Sequence, residues 1–247
     1  MDSFLQRLEK QSKTKKPVVM AFGRMNPPTT GHEKLVNKVH QLAKDYGADH
    51  RVIISHSMDT KKNPLDPQTK LKHAKRFFPN TNIEAASKDA PTFLQHAAKL
   101  DQQGYDHLIM VAGSDRVPEY EQKLKQYNGT AKGSLFNFKK IEVKSAGQRD
   151  PDAEGTEGMS ASKMREHAKS NNFNEFKQGV PSHVPEKHVR DLFRDVRKGM
   201  GLNEQVNRGL FKAIFVTGGP GSGKDIILRD RKSTRLNSSH TDISRMP

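Results

Sequence analysis

The residues most able to do chemistry lie in a ten-residue stretch, Gly23–His32, which reads GRMNPPTTGH. It follows a short apolar run and opens the first long helical pattern. A helix start presents unpaired N–H groups and a partial positive charge, which suits a phosphate. Gly23 would let the backbone turn tightly against a ligand, and Gly31 would let a nucleotide approach closely. Arg24 adds charge, Pro27 and Pro28 stiffen the loop, and His32 points from the first helical turn into the same volume. A glycine–histidine pair alone also reads as a structural turn with a capping histidine. A second stretch, Met159–Arg165 (MSASKMR), has hydroxyls at Ser160 and Ser162 suited to a helix N-cap. Lys163 and Arg165 add charge, and an arginine can grip phosphate through two parallel hydrogen bonds. By itself this is also an ordinary basic helix start. Lys61 and Lys62 could meet an acceptor phosphate, or form a solvated pair. Arg149 sits in a loop that would close over a substrate.

These residues need a frame. Apolar runs alternate with helical patterns along the chain, which predicts βαβ units and a parallel sheet. Strands are expected at Pro17–Phe22, Arg51–Ser55, Asn82–Ala85, His107–Val111 and Phe138–Val143. Helices are expected at Glu33–Tyr46, Gln68–Phe78 and Thr92–Leu100, and from the loop after the fourth strand to about Gln126. Further helices follow at Ala161–Lys169, Asn174–Gln178 and Glu186–Lys198, separated from the fifth strand by a polar loop, Ser145–Gly158. The expected fold is α/β: a Rossmann-like, doubly wound, parallel five-stranded sheet with C-terminal helices and an incomplete P-loop segment. Ligands in such sheets bind beyond the carboxyl ends of the strands, where Gly23 and Gly113 fall.

On these residues the chain resembles the HxGH-type, cytidylyltransferase-like nucleotidyltransferase superfamily. GRMNPPTTGH resembles the family's GxFxPxHxGH element, in a version most similar to phage-encoded members, and MSASKMR resembles its ISxxxxR element. The two occur in the order and at the spacing the family requires, and the resemblance covers roughly residues 17–170. It implies an enzyme that moves AMP or CMP from ATP or CTP, with Mg²⁺, onto a small phosphorylated acceptor and releases pyrophosphate. It implies that His32 stabilises charge on the α-phosphate and that Ser160, Ser162, Lys163 and Arg165 surround the β- and γ-phosphates. It also implies that Gly113 and Asp115 form the element that holds the ribose, although an aspartate after a strand is often just a turn residue. Thr29 stands where the family has its first histidine; a hydroxyl can donate to a phosphate oxygen but carries no positive charge.

Gly218–Lys224 matches the P-loop pattern G-x-x-x-x-G-K after a further apolar run, Lys212–Thr217. Gly218 and Gly223 would shape the loop and Lys224 would reach the phosphates. Asp225 replaces the hydroxyl residue that normally meets Mg²⁺, and too little chain follows for the remaining strands, so an inactive P-loop start is expected. The order resembles that of bifunctional NMN adenylyltransferase/ribosylnicotinamide kinases. The segment 231–247 resembles translated adapter sequence. The expected organisation is a basic arm at 1–16, a nucleotidyltransferase domain at 17–200, a linker at 201–211, a truncated P-loop start at 212–230 and a non-native tail at 231–247.

Composition narrows the classes. The 247 residues contain no cysteine, which removes disulfides, zinc–thiolate sites and thiol catalysis. No run approaches the roughly 18 apolar residues of a membrane span, and a cytoplasmic protein is expected. The formal charge of +15 favours anionic partners, nucleic acid or phosphorylated small molecules. Aromatic residues make up only 6%, thin for stacking single strands, and no nucleic-acid-binding motif is legible. The competing readings are a nucleotide- or RNA-binding Rossmann module without turnover and a fragment of a P-loop small-molecule kinase.

Overall fold

Strand β1, Pro17–Gly23, forms the centre of the sheet, hydrogen-bonded on one side to β2 (Asp49–Ile54) and on the other to β4 (His107–Ala112). In the computed structural model, which describes residues 16–147 and 159–202, β3 (Ile83–Ala85) and β5 (Lys140–Ser145) complete five strands in the order β3-β2-β1-β4-β5. Every pairing is parallel. The helices are α1 (Thr30–Tyr46), α2 (Pro67–Phe77), α3 (Phe93–Gln102), α4 (Val117–Gln126), α5 (Ala161–Lys169), α6 (Phe173–Gln178) and α7 (Glu186–Gly199). A single 3₁₀ turn, Ser114–Arg116, joins β4 to α4.

Side-chain alternation along the strands builds two core layers. Val19, Ala21, Val52, Ile54, Ile109 and Val111 face α1, α2 and the C-terminal helices, whose contributions include Val39, Phe77, Met164, Phe176 and Leu192. Val18, Met20, Ile53, Leu108 and Met110 face the opposite way, onto Phe93, Ala97, Tyr120 and Leu124 of α3 and α4. A strand covered on both faces must be apolar throughout, as VVMA and LIMVA are. The sheet is therefore the expected doubly wound α/β fold. Strand order reverses between β1 and β4, so the carboxyl ends of these two strands open the crevice where such folds bind ligands.

The helix boundaries follow from caps. Asp66 sits just before Pro67, and its carboxylate accepts the amides of Gln68 and Thr69 at 3.0 Å each, with the Thr69 hydroxyl also donating to it. Partial burial pushes this carboxyl up, but the bonds from Thr69 and Gln68 outweigh that effect and hold it below the usual carboxylate range. Asp66→Ala is expected to cost about 1 kcal/mol and to lower Tm by ~3 °C, measured by thermal unfolding at neutral pH. The lowered value means that this stability is fully present above the unfolded pKa of about 4 and is lost as the pH falls through the folded one. The gap between variant and parent should close in acid.

Several expected boundaries shift by one to three residues: the second strand, expected at Arg51–Ser55, runs Asp49–Ile54, and the third helix, expected at Thr92–Leu100, runs Phe93–Gln102. The fifth strand starts at Lys140 rather than Phe138, because Phe138 packs with Phe136 under α4 before the chain joins the sheet. The first helix starts at Thr30 rather than Glu33, because Thr29 already has the extended conformation of an N-cap. The last helix, expected to end at Lys198, ends at Gly199, and Gly201, where the linker was expected to begin, turns the chain at φ 75°. The basic arm to residue 15, Arg149, the apolar run 212–217, the P-loop residues Gly218, Gly223 and Lys224 and the tail 231–247 lie outside the described residues.

Candidate active site

A cavity of about 400 Å³ opens at the carboxyl ends of β1 and β4. Its walls come from four segments far apart in sequence: Phe22–Leu35, Lys62, Ala112–Tyr120 and Met159–Arg165, with Ala146 and Gly147 between the last two. Of the predicted residues, Gly23, Arg24, Thr29, Gly31, His32, Lys62, Gly113, Asp115, Ser160, Ser162 and Arg165 all line it. Lys163 does not: it is exposed on the first turn of α5, and its amide donates to the Ser160 hydroxyl at 3.1 Å.

The first segment is built differently from expectation. Gly23 is the last residue of β1 and has no positive φ, so it does not make the turn. Met25 makes it instead, with a left-handed φ of 43° and a fully buried side chain, ahead of a cis Asn26–Pro27 peptide. The helix start is also less open than a bare helix end. The Thr30 amide donates to the Gly179 carbonyl at 3.0 Å, and the His32 amide to the Thr29 carbonyl at 2.9 Å.

Thr29 is 3% exposed. Its amide donates to His32 Nδ1 at 3.0 Å, and its hydroxyl lies 2.9 Å from the same nitrogen. Because Nδ1 accepts an N–H, the neutral imidazole carries its proton on Nε2. Thr29 orients the histidine from within the loop instead of lending a second charge to the cavity.

Arg165 crosses from α5 to the first segment. Its Nη1 donates to the Asn26 carbonyl at 2.8 Å, and its Nη2 donates to the Ser162 hydroxyl at 3.0 Å. Burial and the neighbouring Arg24 guanidinium push its pKa down, and Asp59 and Glu166 offset part of this. Guanidinium groups remain charged under such shifts. Ser160 caps α5, so its oxygen is occupied while its hydroxyl proton can still be given to a ligand.

The lining carries Arg24, Lys34, Lys62, Arg116 and Arg165 against one described carboxylate, Asp115, which is exposed and 4.0 Å from Arg116. At the other end the cavity is apolar and aromatic: Phe22 and Tyr120 border it, both packed on Phe93, with ring centroids 6.3 and 4.5 Å away. Among the described residues, no group of three or more His, Asp or Glu gathers as a metal-ligand set. A divalent cation would fit here as part of its nucleotide complex, held mainly by phosphate oxygens and water. Among the described residues, no helix is long and apolar enough to cross a membrane.

No protein-family model and no curated protein sequence matches the chain. Solved structures do. A Vibrio parahaemolyticus protein described as a nicotinate-nucleotide adenylyltransferase superposes with TM-score 0.45 and 12% identity, over 72% of this chain and 98% of its own. Plasmodium falciparum nicotinic acid mononucleotide adenylyltransferase complexed with NaAD gives 0.48 and 15%, over 76% and 98%. Thermotoga maritima TmcAL bound with alpha-thio ATP gives 0.45 and 12%, over 74% and 57%. These are likenesses of fold.

Asn26, Lys34, Arg116 and Tyr120, to which the sequence pattern assigned no role, all line the cavity.

Proposed function

We propose that this protein is a nucleotidyltransferase that moves a nucleoside monophosphate from a triphosphate to a small phosphorylated acceptor and releases pyrophosphate. The observation that carries the reading is the bond between Arg165 and the Asn26 carbonyl, which brings the two distant motifs to one wall of one cavity. In the reaction, an oxygen of the acceptor forms a bond to the α-phosphorus. The bond from that phosphorus to the bridging oxygen breaks, and pyrophosphate leaves with the electron pair. Such in-line transfers need positioning and charge stabilisation more than a covalent nucleophile. The donor set fits that need: His32 Nε2–H for the α-phosphate, and Arg165, Arg24 and the Ser160 and Ser162 hydroxyls for the leaving phosphates. The chain's own groups also favour the class of acceptor. A phosphate oxygen is already anionic and attacks without a general base, whereas a hydroxyl would require one. The single described carboxylate of the lining is Asp115, in the turn that follows β4.

The test is a pyrophosphate-release assay with ATP or CTP, each as its Mg²⁺ complex, against a panel of phosphorylated acceptors headed by nicotinate and nicotinamide mononucleotides. The expected result is release that requires both a triphosphate and an acceptor. Tight nucleotide binding with no release across the panel would overturn the proposal in favour of a binding module.

A further inference from the structure

The loop between β2 and α2 carries Lys62 to the cavity, and both of its ends are fastened by buried polar side chains. At its start, Lys70 of α2 is 0% exposed, one of the large side chains that are fully buried among the described residues. Its ammonium donates to the carbonyls of Ser55 at 2.6 Å and Ser57 at 2.9 Å. Ser55 itself continues the sheet, its amide donating to the Gly23 carbonyl at 2.8 Å. At the loop's end, Asn26, 2% exposed, pairs its side-chain amide with both main-chain groups of Leu65, each at 3.0 Å. Between these points the loop closes on itself. Asp59 and Asn63 exchange main-chain bonds of 2.9 and 3.2 Å, and the Asp59 carboxylate accepts the amides of Lys61 and Lys62. The Lys62 amide, ahead of Asn63, holds that carboxyl down at about 2, so it is ionised and binding its own turn at neutral pH.

A fully buried ammonium is expensive, and an apolar side chain of similar size would pack at this position of α2 at lower cost. Two main-chain carbonyls are what the charge is used for. We propose that Lys70 is a positioning residue: together with Asn26 it clamps the loop at both ends and so presents Lys62, already in place, to a phosphate on the acceptor side of the cavity. Burial pushes the amine down to about 8, with Asp66 offsetting part of the shift, and this leaves it charged at neutral pH. The inference rests on the proposed transfer reaction only in calling that phosphate the acceptor's.

The test uses the full chain and two probes. Inorganic phosphate binding is measured by calorimetry, and exchange of the Lys61–Asn63 amides by hydrogen–deuterium exchange. Lys70→Met and Asn26→Asp are each expected to weaken phosphate about tenfold and to speed amide exchange by a similar factor. Lys70→Gln, which keeps an N–H donor, recovers part of both losses. Lys62→Ala loses the phosphate but leaves exchange unchanged. In turnover, Lys70→Met raises the acceptor KM about tenfold while kcat and the triphosphate KM stay within about threefold. Unchanged exchange and phosphate affinity in both clamp variants overturns the clamp, as does a wild type that binds no inorganic phosphate. If Lys70→Met does not fold, the isosteric Asn26→Asp decides alone. Failure of the transfer reading is separately visible: phosphate binds and the clamp variants weaken it, yet no acceptor releases pyrophosphate.

Discussion

His32→Ala lowers the rate of nucleotidyl transfer by about 10²- to 10³-fold, the cost of removing one preorganised donor at a centre of developing charge. In the proposed reaction the loss falls on kcat, with the triphosphate KM nearly unchanged, because Arg24, Arg165 and the serine hydroxyls would still hold the phosphate tail. The physical reason lies in the ring's fixed orientation. Thr29 gives Nδ1 an amide proton at 3.0 Å, so the opposite nitrogen of the neutral ring is a donor before the nucleotide arrives. The ring is oriented before charge builds on the α-phosphate oxygens. Thr29→Val separates the two parts of this arrangement. It removes the hydroxyl 2.9 Å from Nδ1 but leaves the amide bond, so its effect should be no more than about threefold. Steady-state pyrophosphate release on both variants is the measurement. A His32→Ala enzyme within tenfold of the parent would remove the histidine from the chemistry. A Thr29→Val effect as large as that of His32→Ala would mean that the hydroxyl itself touches the substrate.

The sheet was legible because strands covered on both faces are unbroken apolar runs, as in PVVMAF and HLIMV, and little else in a polar chain looks like that. Legibility failed at the edge. β5 carries Lys140, Glu142 and Lys144 on one side, and Glu142 is bonded by both lysines and by His107, an arrangement that offers no hydrophobic signal. The apolar residues just before it, Phe136 and Phe138, supplied the signal from a loop instead. In the site, Gly23, Gly31, His32 and Arg165 stood out by type and spacing, and all of them line the cavity, although Met25 rather than Gly23 takes the left-handed turn. Asn26 and Lys70 act through partners 39 and 15 positions away in the chain, and local pattern does not reach such contacts. Lys70 did leave a trace. The buried stripe of α2 is Lys70, His73, Ala74 and Phe77, the i, i+3, i+4, i+7 positions of a helix facing a core. A lysine and a histidine at stripe positions break the polar-outside rule. His73 bonds Asp195 of α7 at 2.8 Å through Nε2, and Lys70 bonds the carbonyls of Ser55 and Ser57.

Arg165→Lys tests whether the guanidinium is wanted for its charge or for its shape. Arg165 spends two of its five N–H donors on the protein, one on the Asn26 carbonyl and one on the Ser162 hydroxyl. These bonds fix the group at the cavity wall, and in the proposed reaction its remaining donors would be offered to phosphate oxygens. A lysine keeps the charge but cannot span Asn26 and Ser162 while also reaching the nucleotide. It loses the anchor, the fork or both. The lysine variant should therefore lose about 10²-fold in kcat/KM for the triphosphate, and Arg165→Ala about 10³-fold. The acceptor KM should move less, because the loop that carries Lys62 keeps the Lys70 bonds at its start and the Asn26 side-chain bonds at its end, and only the Asn26 main-chain carbonyl loses a partner. Inorganic pyrophosphate, as a competitive inhibitor against the triphosphate, should weaken in parallel with kcat/KM, since it probes the same donors without the nucleoside. A lysine variant within about twofold of the parent on both measures would reduce position 165 to a point charge, and the bond to Asn26 would then be a matter of folding alone.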